Sequence, residues 1–168
     1  MIEFLKFLFE VLEKYLMPIQ VINTYERGVM LTLGKNPKLI EPGVRFKFPL
    51  IQEIFTTPIM PDTISPPSVN VTTADGKTIS VRVAIEFEVI DAQKWLIEVT
   101  DATTNLSDLT RGFCADHLTD VDWEEVVQKK TRTEIKNKLN KKCQEFGCKI
   151  NLLMFTEVCQ TKIILTSL

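Results

Sequence analysis

Residues 68 to 89 constrain the fold more than any other stretch of this 168-residue chain. Ser68 to Thr73 runs into Ala74-Asp75-Gly76-Lys77. Asp-Gly suits the type I′ turn of a tight β-hairpin, in which both central residues take positive φ. The return strand then alternates without interruption. Ile79, Val81, Val83, Ile85, Phe87 and Val89 fall on one side, and Ser80, Arg82, Glu86 and Glu88 on the other. Successive side chains of a strand point to opposite faces, so this apolar row needs a core on one side and leaves the other wet or covering a partner.

The remaining elements must supply that cover. Ile19 to Tyr25 and Val29 to Leu33 are β-rich and separated by Glu26-Arg27-Gly28, which reads as a first hairpin. Gly34 to Pro42 is turn material. Val44, Phe46 and Phe48 alternate with Arg45 and Lys47, giving a short half-buried strand ended by Pro49. Pro58, Pro61, Pro66 and Pro67 restrict residues 56–67 to extended edge segments or loop, because proline cannot donate to a ladder. Asp91 can cap a short helix through Val99. Asp101 starts another, with Leu106, Leu109, Phe113 and His117 on one face and Gly112 as a weak point. Asp122 with Glu125 forms a capping box for a helix running to about Phe146, with Gly147 at the C-cap. Its apolar stripe is Val127, Ile135, Leu139, Cys143 and Phe146. Ile150, Leu152, Met154 and Val158 alternate as a closing strand. Strands first, then helices, then a strand make an α+β domain: a β-rich part over about 19–90 and an α/β part over about 91–168.

Residues 1–18 have a different character. Placed on a helix, Glu3, Lys6, Glu10, Glu13 and Lys14 share one stripe about 100° wide. Ile2, Phe4, Leu5, Phe7, Leu8, Phe9, Val11, Leu12, Tyr15 and Leu16 occupy the rest, and Pro18 ends the helix. The stretch lacks the basic start and small-residue cleavage site of a signal peptide. At 1.5 Å per residue it reaches about 26 Å, short of a hydrocarbon core of about 30 Å, and charges interrupt it. An amphipathic helix lying in the membrane surface through those ten apolar residues fits best. The plainer alternative is a helix docked on its own domain or a neighbour.

Composition is that of a globular chain, with 45% hydrophobic and 25% charged residues. A net charge of −2 argues against a dedicated nucleic-acid binder. Cys114, Cys143, Cys148 and Cys159 form no CxxC pair and read as reduced thiols in a domain facing the cytoplasm. No cofactor, metal or catalytic residue is expected. Gly76-Lys77-Thr78 resembles the end of a phosphate-binding loop, but Val71 stands where the earlier glycine belongs and the context is a hairpin. His117 has Cys114 one turn before it without further ligands or an orienting partner, so it reads as a partly buried structural residue. Glu86 and Glu88 read as a solvated or salt-bridged face. Lys129, Lys130, Arg132, Lys136, Lys138, Lys141 and Lys142 surround the last helix rather than forming one patch. They are candidate inter-subunit or lipid contacts. Nucleic acid is disfavoured, because base-stacking aromatics are absent.

Several segments resemble the stomatin, prohibitin and flotillin superfamily, the SPFH or band 7 domain, which includes bacterial HflK and HflC. The first is Glu26-Arg27-Gly28-Val29, followed by Leu33-Gly34 and by Pro42-Gly43-Val44-x-Phe46-x-Phe48-Pro49. Thr73-x-Asp75-Gly76-x-x-Ile79-x-Val81, Phe87-x-Val89-x-Asp91 and Phe146-Gly147-Cys148-x-Ile150 follow in order. The resemblance covers residues 19 to about 160 and is closest to stomatin. It implies a membrane-associated, non-enzymatic protein with an N-terminal anchor. Such a protein self-associates into rings or cages, organises membrane microdomains and modulates partners such as a membrane protease or channel. It also implies structural roles for Glu26, Arg27, Gly28, Pro42, Gly43, Pro49, Asp75, Gly76, Asp91 and Gly147. Two departures stand out: Glu41 replaces the first glycine of a Gly-Pro-Gly turn, and no sustained heptads precede Leu168. The expectation is therefore lateral assembly through domains and anchors rather than through a coiled coil. The alternative is a small regulatory adaptor that joins a membrane protease or a full-length SPFH assembly without forming its own.

Overall fold

The computed structural model describes residues 3–7 and 19–161. Its elements follow the order β1 (Ile19–Ile22), β2 (Glu26–Thr32), β3 (Lys35–Ile40), β4 (Gly43–Phe46), β5 (Gln52–Pro58), β6 (Asp62–Ile64), β7 (Val69–Thr72) and β8 (Thr78–Val89). A π-helical turn (Lys94–Glu98), α1 (Ala102–Thr119), α2 (Trp123–Val126), α3 (Lys129–Glu145) and β9 (Cys148–Gln160) complete the domain. The α+β arrangement expected from the residue pattern is what is found.

The β7–β8 hairpin forms in the expected register, with Val69 opposite Val81 and Thr72 opposite Thr78. Its turn is different. Of Asp75 and Gly76 only Gly76 takes positive φ, at 79°, and its N–H donates to the Thr73 carbonyl at 2.9 Å. A longer turn with a left-handed glycine replaces the two-residue type I′ form. Positive φ at both central residues occurs instead at Leu33 (52°) and Gly34 (68°), where β2 turns into β3. All six residues of the alternating apolar row of β8 are buried, and so is Ala84. β6 and β7 share one edge of β8 and β9 takes the other, with α1 packed near β7 and α3 along β9. Leu106, Cys114, Leu118, Ile135, Leu139 and Cys143 from those helices close the core over Ile79, Val81, Ile85 and Ile150.

The first half departs from the expected pairing. β1 does not form a hairpin with β2. It pairs antiparallel with β4, while β2 lies between β3 and β5. Glu26, Arg27 and Gly28 belong to β2 and not to a turn. The chain reverses just before, where the Glu26 N–H donates to the Asn23 carbonyl and the Glu26 carboxylate accepts from Asn23. Gly28 is needed for close approach: a Cβ there would stand 2.7 Å from Ile22 Cδ1, beside Ile40 and Ile54. The segment expected as turn contains β3. It tolerates Pro37 because it is an edge strand, with an irregularity in its pairing to β2 around that residue.

Two further expectations are corrected in the second half. The capping-box helix is broken after Val127, and Asp122 makes no side-chain cap. Val127 is consequently exposed and not in the apolar stripe, whereas Ile135, Leu139 and Cys143 are buried. In β9 the alternation slips at Asn151, where β8 passes from Phe87 opposite Ile150 to Glu86 opposite Leu152. This bulge buries Leu153 and leaves Leu152 and Met154 exposed.

Candidate functional site

Cross-strand neighbours share a face, so the β1–β4 register sets Ile19 beside Phe46 and Val21 beside Val44. The alternation expected for Val44, Phe46 and Phe48 is present, but the apolar side is uncovered: Val44 is 69% exposed and Phe46 61%. The Phe46 and Phe48 rings meet edge to face at 5.4 Å. The surface continues into two adjoining loop tips. The Gln52 N–H donates to the Phe48 carbonyl and the Leu33 N–H to the Ile51 carbonyl, which brings Leu33, Leu50 and Ile51 beside Phe48. Leu50 is 92% exposed and takes φ of 72°. A left-handed leucine costs about 1–2 kcal/mol, and here it accompanies an apolar side chain held in solvent. Large contiguous apolar surfaces mark interaction sites. Lys47 follows β4 directly, and Lys35 opens β3 just after the Leu33–Gly34 turn.

The N-terminal candidates are only partly described. Residues 3–7 are helical, with Phe4, Leu5 and Phe7 exposed. Ile2, Leu8, Phe9, Val11, Leu12, Tyr15 and Leu16 lie outside the described residues. Among the described residues no helix is long and apolar enough to cross a membrane.

The basic residues of α3 differ in their surroundings. Lys130 and Lys142 pair on their own helix with Glu134 and Glu145, and Lys142 also sits over the Phe146 ring at 5.4 Å. Lys138 faces His117 on α1, with its Nζ 3.3 Å from Nδ1. An ammonium can only donate, so Nδ1 accepts, while the buried Nε2 lies 3.3 Å from a Glu134 carboxylate oxygen without forming a hydrogen bond among the described residues. The buried His117 therefore fastens α1 to α3. On the flank beside β9, Lys129 and Arg132 form no ion pair among the described residues, and Lys136 Nζ donates to the Asn151 carbonyl at 2.7 Å. Lys141 is exposed.

The family-motif residues divide between turns and close contacts. Asp75 accepts from Thr73 Oγ1, from Lys77 at 2.8 Å and from the Trp123 N–H at 3.3 Å, tying the hairpin to α2. The Lys77 and Thr73 hydrogen bonds lower its pKa to about 2. Asp91 caps the π-helical turn by accepting from the Gln93 and Lys94 N–H groups. Gly147 takes φ of 78°, and a Cβ there would stand 2.4 Å from the Asp91 carbonyl oxygen. Its own carbonyl accepts from the Ile90 and Asp91 N–H groups. Gly43, after Pro42, takes φ of 128°, and Pro49 lies in the loop carrying Leu50. Arg27 is half-buried in β2.

No triad of metal-ligating side chains is present among the described residues. Burial pushes the Cys114 thiol up to about 12, a direction opposite to that of an activated nucleophile. The Cys143 thiol is also raised, through its hydrogen bond with Cys148 and burial. Glu88 pairs with Lys149 at 3.3 Å across the β8–β9 ladder.

Sequence reasoning misses the exposed face of β1–β4 and the groove beside β9. The run Phe48-Pro49-Leu50-Ile51 is the available signal for the first, an apolar cluster at a proline turn. No local signal marks the second, because it depends on the bulge.

The family described as SPFH domain / Band 7 family matches residues 20–161. An uncharacterized protein of Archaeoglobus fulgidus is 22% identical over 142 residues, covering 83% of this chain and 57% of that protein. HflK of Vibrio cholerae is 30% identical over 105 residues, covering 59% of this chain and 26% of HflK. An uncharacterized protein of Methanocaldococcus jannaschii is 20% identical over 142 residues, covering 83% and 71%. The chain thus spans about half or less of the length of the first two relatives.

Proposed function

The chain belongs to the SPFH domain / Band 7 family, and from that premise we propose that it is a non-enzymatic, membrane-associated scaffold that self-associates and organises the membrane or the proteins in it. The exposed apolar surface of β1–β4 and its loop tips carries this reading. A soluble domain gains nothing by holding Val44, Phe46, Phe48 and Leu50 in water, whereas a lipid surface buries them. Each such side chain contributes on the order of 1–2 kcal/mol when inserted, so several weak contacts add to whatever residues 1–18 supply. Many copies packed side by side would then hold the membrane together through shared avidity. Lys129, Lys130, Arg132, Lys136, Lys138, Lys141 and Lys142 serve neighbouring subunits or anionic headgroups in this reading, with the domain on the cytoplasmic side.

Liposome flotation of the full chain tests it. Phe46→Glu with Leu50→Glu should lower membrane partition at least about tenfold while leaving the thermal melt nearly unchanged. Phe4→Glu with Leu8→Glu measures the N-terminal share separately. Unchanged flotation of both pairs would sink the membrane reading. Electron microscopy of the wild-type chain on the same vesicles should show large homo-oligomers. The adaptor alternative predicts small species until a membrane protease or an SPFH assembly is added. The unpaired flank of α3 beside β9 favours keeping that second reading.

A further inference from the structure

Among the described residues β9 is an edge strand, and an open edge offers unpaired N–H and C=O groups to any extended chain. Its first part is protected by α3. Asn140 Oδ1 accepts the Ile150 N–H at 2.9 Å, and Lys136 donates to the Asn151 carbonyl. From Leu152 to Gln160 the backbone has no such partner on its outer side among the described residues. The segment Leu152-Leu153-Met154-Phe155 ahead of the Thr156 bulge holds no proline, no lysine and no other charge, so these defences are missing there.

Beside this edge lies a groove of about 310 Å³ between α3 and β9. Its floor includes Leu152 and Met154, turned outward by the Asn151 bulge, and its wall carries Lys129, Arg132 and Lys136. Lys129 and Arg132 have no carboxylate partner among the described residues. Arg132 Nε is buried without an acceptor, a condition that native structures rarely leave unanswered. A strand edge flanked by a helix is the geometry in which peptides bind by strand addition. Main-chain bonds then supply affinity, and the flanking side chains supply selectivity.

We propose that the α3–β9 groove is a strand-addition site for an extended acidic peptide segment of a partner protein. The edge supplies main-chain hydrogen bonds from Leu152 onward, and Leu152 and Met154 take alternate apolar side chains. Acidic residues reach the Lys129 ammonium and the Arg132 guanidinium, which lack a carboxylate partner among the described residues. A second copy of β9 is a poor occupant. Its one acid, Glu157, is already paired with Arg82 at 3.1 Å and cannot meet the groove's cations. This inference gives Lys129 and Arg132 to a partner's peptide in place of a neighbouring subunit or headgroup, and leaves the rest of the scaffold reading as it is.

Fluorescence anisotropy on the full chain tests it, with a labelled short peptide alternating glutamate and valine as the probe. Saturable binding is expected, with none for the lysine–valine counterpart. N-methylation of alternate peptide nitrogens should weaken binding about tenfold by removing strand hydrogen bonds. Lys129→Glu with Arg132→Glu should weaken it by a similar factor without changing the melt. The idea is overturned if the glutamate–valine peptide does not bind, if the N-methylated peptide binds equally, or if the double variant binds as well as wild type. It is also overturned if an unlabelled peptide of residues 152–160 of this chain displaces the probe as well as the unlabelled glutamate–valine peptide does, because the occupant is then a second copy. Flotation and electron microscopy of the wild-type chain read the scaffold and the peptide titration of the wild-type chain reads the groove, so failure here is distinguishable from failure of the scaffold reading.

Discussion

The two halves of the domain use similar side chains in opposite ways. From Val71 to Leu153 most of the apolar residues converge on one core, built by β8 and β9 with α1 and α3 above them. From Ile19 to Ile51 only Ile22, Val29 and Ile40 are buried among the large apolar residues, while Ile19, Val21, Leu33, Leu39, Val44, Phe46, Phe48, Leu50 and Ile51 remain exposed. Burial stabilises the second half. The first half leaves its apolar surface uncovered among the described residues. Hydrophobic content alone therefore does not identify a core: what matters is whether another layer covers the face.

Paired truncations put this contrast at greatest risk. Leu139→Ala removes a fully buried side chain and should cost about 2–5 kcal/mol in urea unfolding, whereas Val44→Ala should stay within about 0.5 kcal/mol. A large loss for Val44→Ala would mean that the first half depends on that face for its own stability. Gly147→Ala should come next, at about 1–3 kcal/mol, because φ is positive and the new Cβ would meet the Asp91 carbonyl oxygen. A melt unchanged by this substitution would show that the junction of α3 and β9 relaxes freely. The smallest effect concerns acid. The folded pKa of Asp75 is depressed to about 2, so its stabilisation is full above the unfolded value of about 4 and is lost as pH falls toward 2. Asp75→Asn should flatten that part of the stability–pH curve, read by thermal melts between those limits. An unaltered slope would assign the acid sensitivity elsewhere.

Much of the second half is legible in the sequence because local rules and the tertiary outcome agree there. Ile79 to Val89 alternate and are buried on that face. Asp91 and Asp101 cap the helical turns after them, and Gly147 ends α3 in a left-handed conformation. The first half misleads because segments adjacent in sequence are not partners in the sheets. Gly28 has the look of a turn residue, yet it sits in a strand to make room for Ile22. Pro37 argues locally against a strand, yet an edge strand tolerates it. For Val44 and Phe46 the pattern correctly puts them on one face, but periodicity carries no information on whether that face is covered. The family-motif residues Asp75, Asp91 and Gly147 prove to be joints between elements, visible by type but not by partner.

The two irregularities of β9 act as a phase counter. Inward residues are Cys148 and Ile150 before Asn151, Leu153 and Phe155 after it, and Val158 beyond Thr156, where the second slip lies. Each extra residue shifts the inward set from even to odd positions or back, and two shifts cancel. Were Asn151 drawn into the ladder opposite Glu86, Leu152 would move to Ile85, and the stretch up to Thr156 would turn over. Leu152 and Met154 would then face the core and Leu153 and Phe155 the solvent, erasing the floor of the groove in one step. Asn140 and Lys136 guard against that slip by holding the Ile150 N–H and the Asn151 carbonyl from the helix side. Two polar side chains on α3 thus decide which of the strand's apolar residues the domain keeps and which it offers.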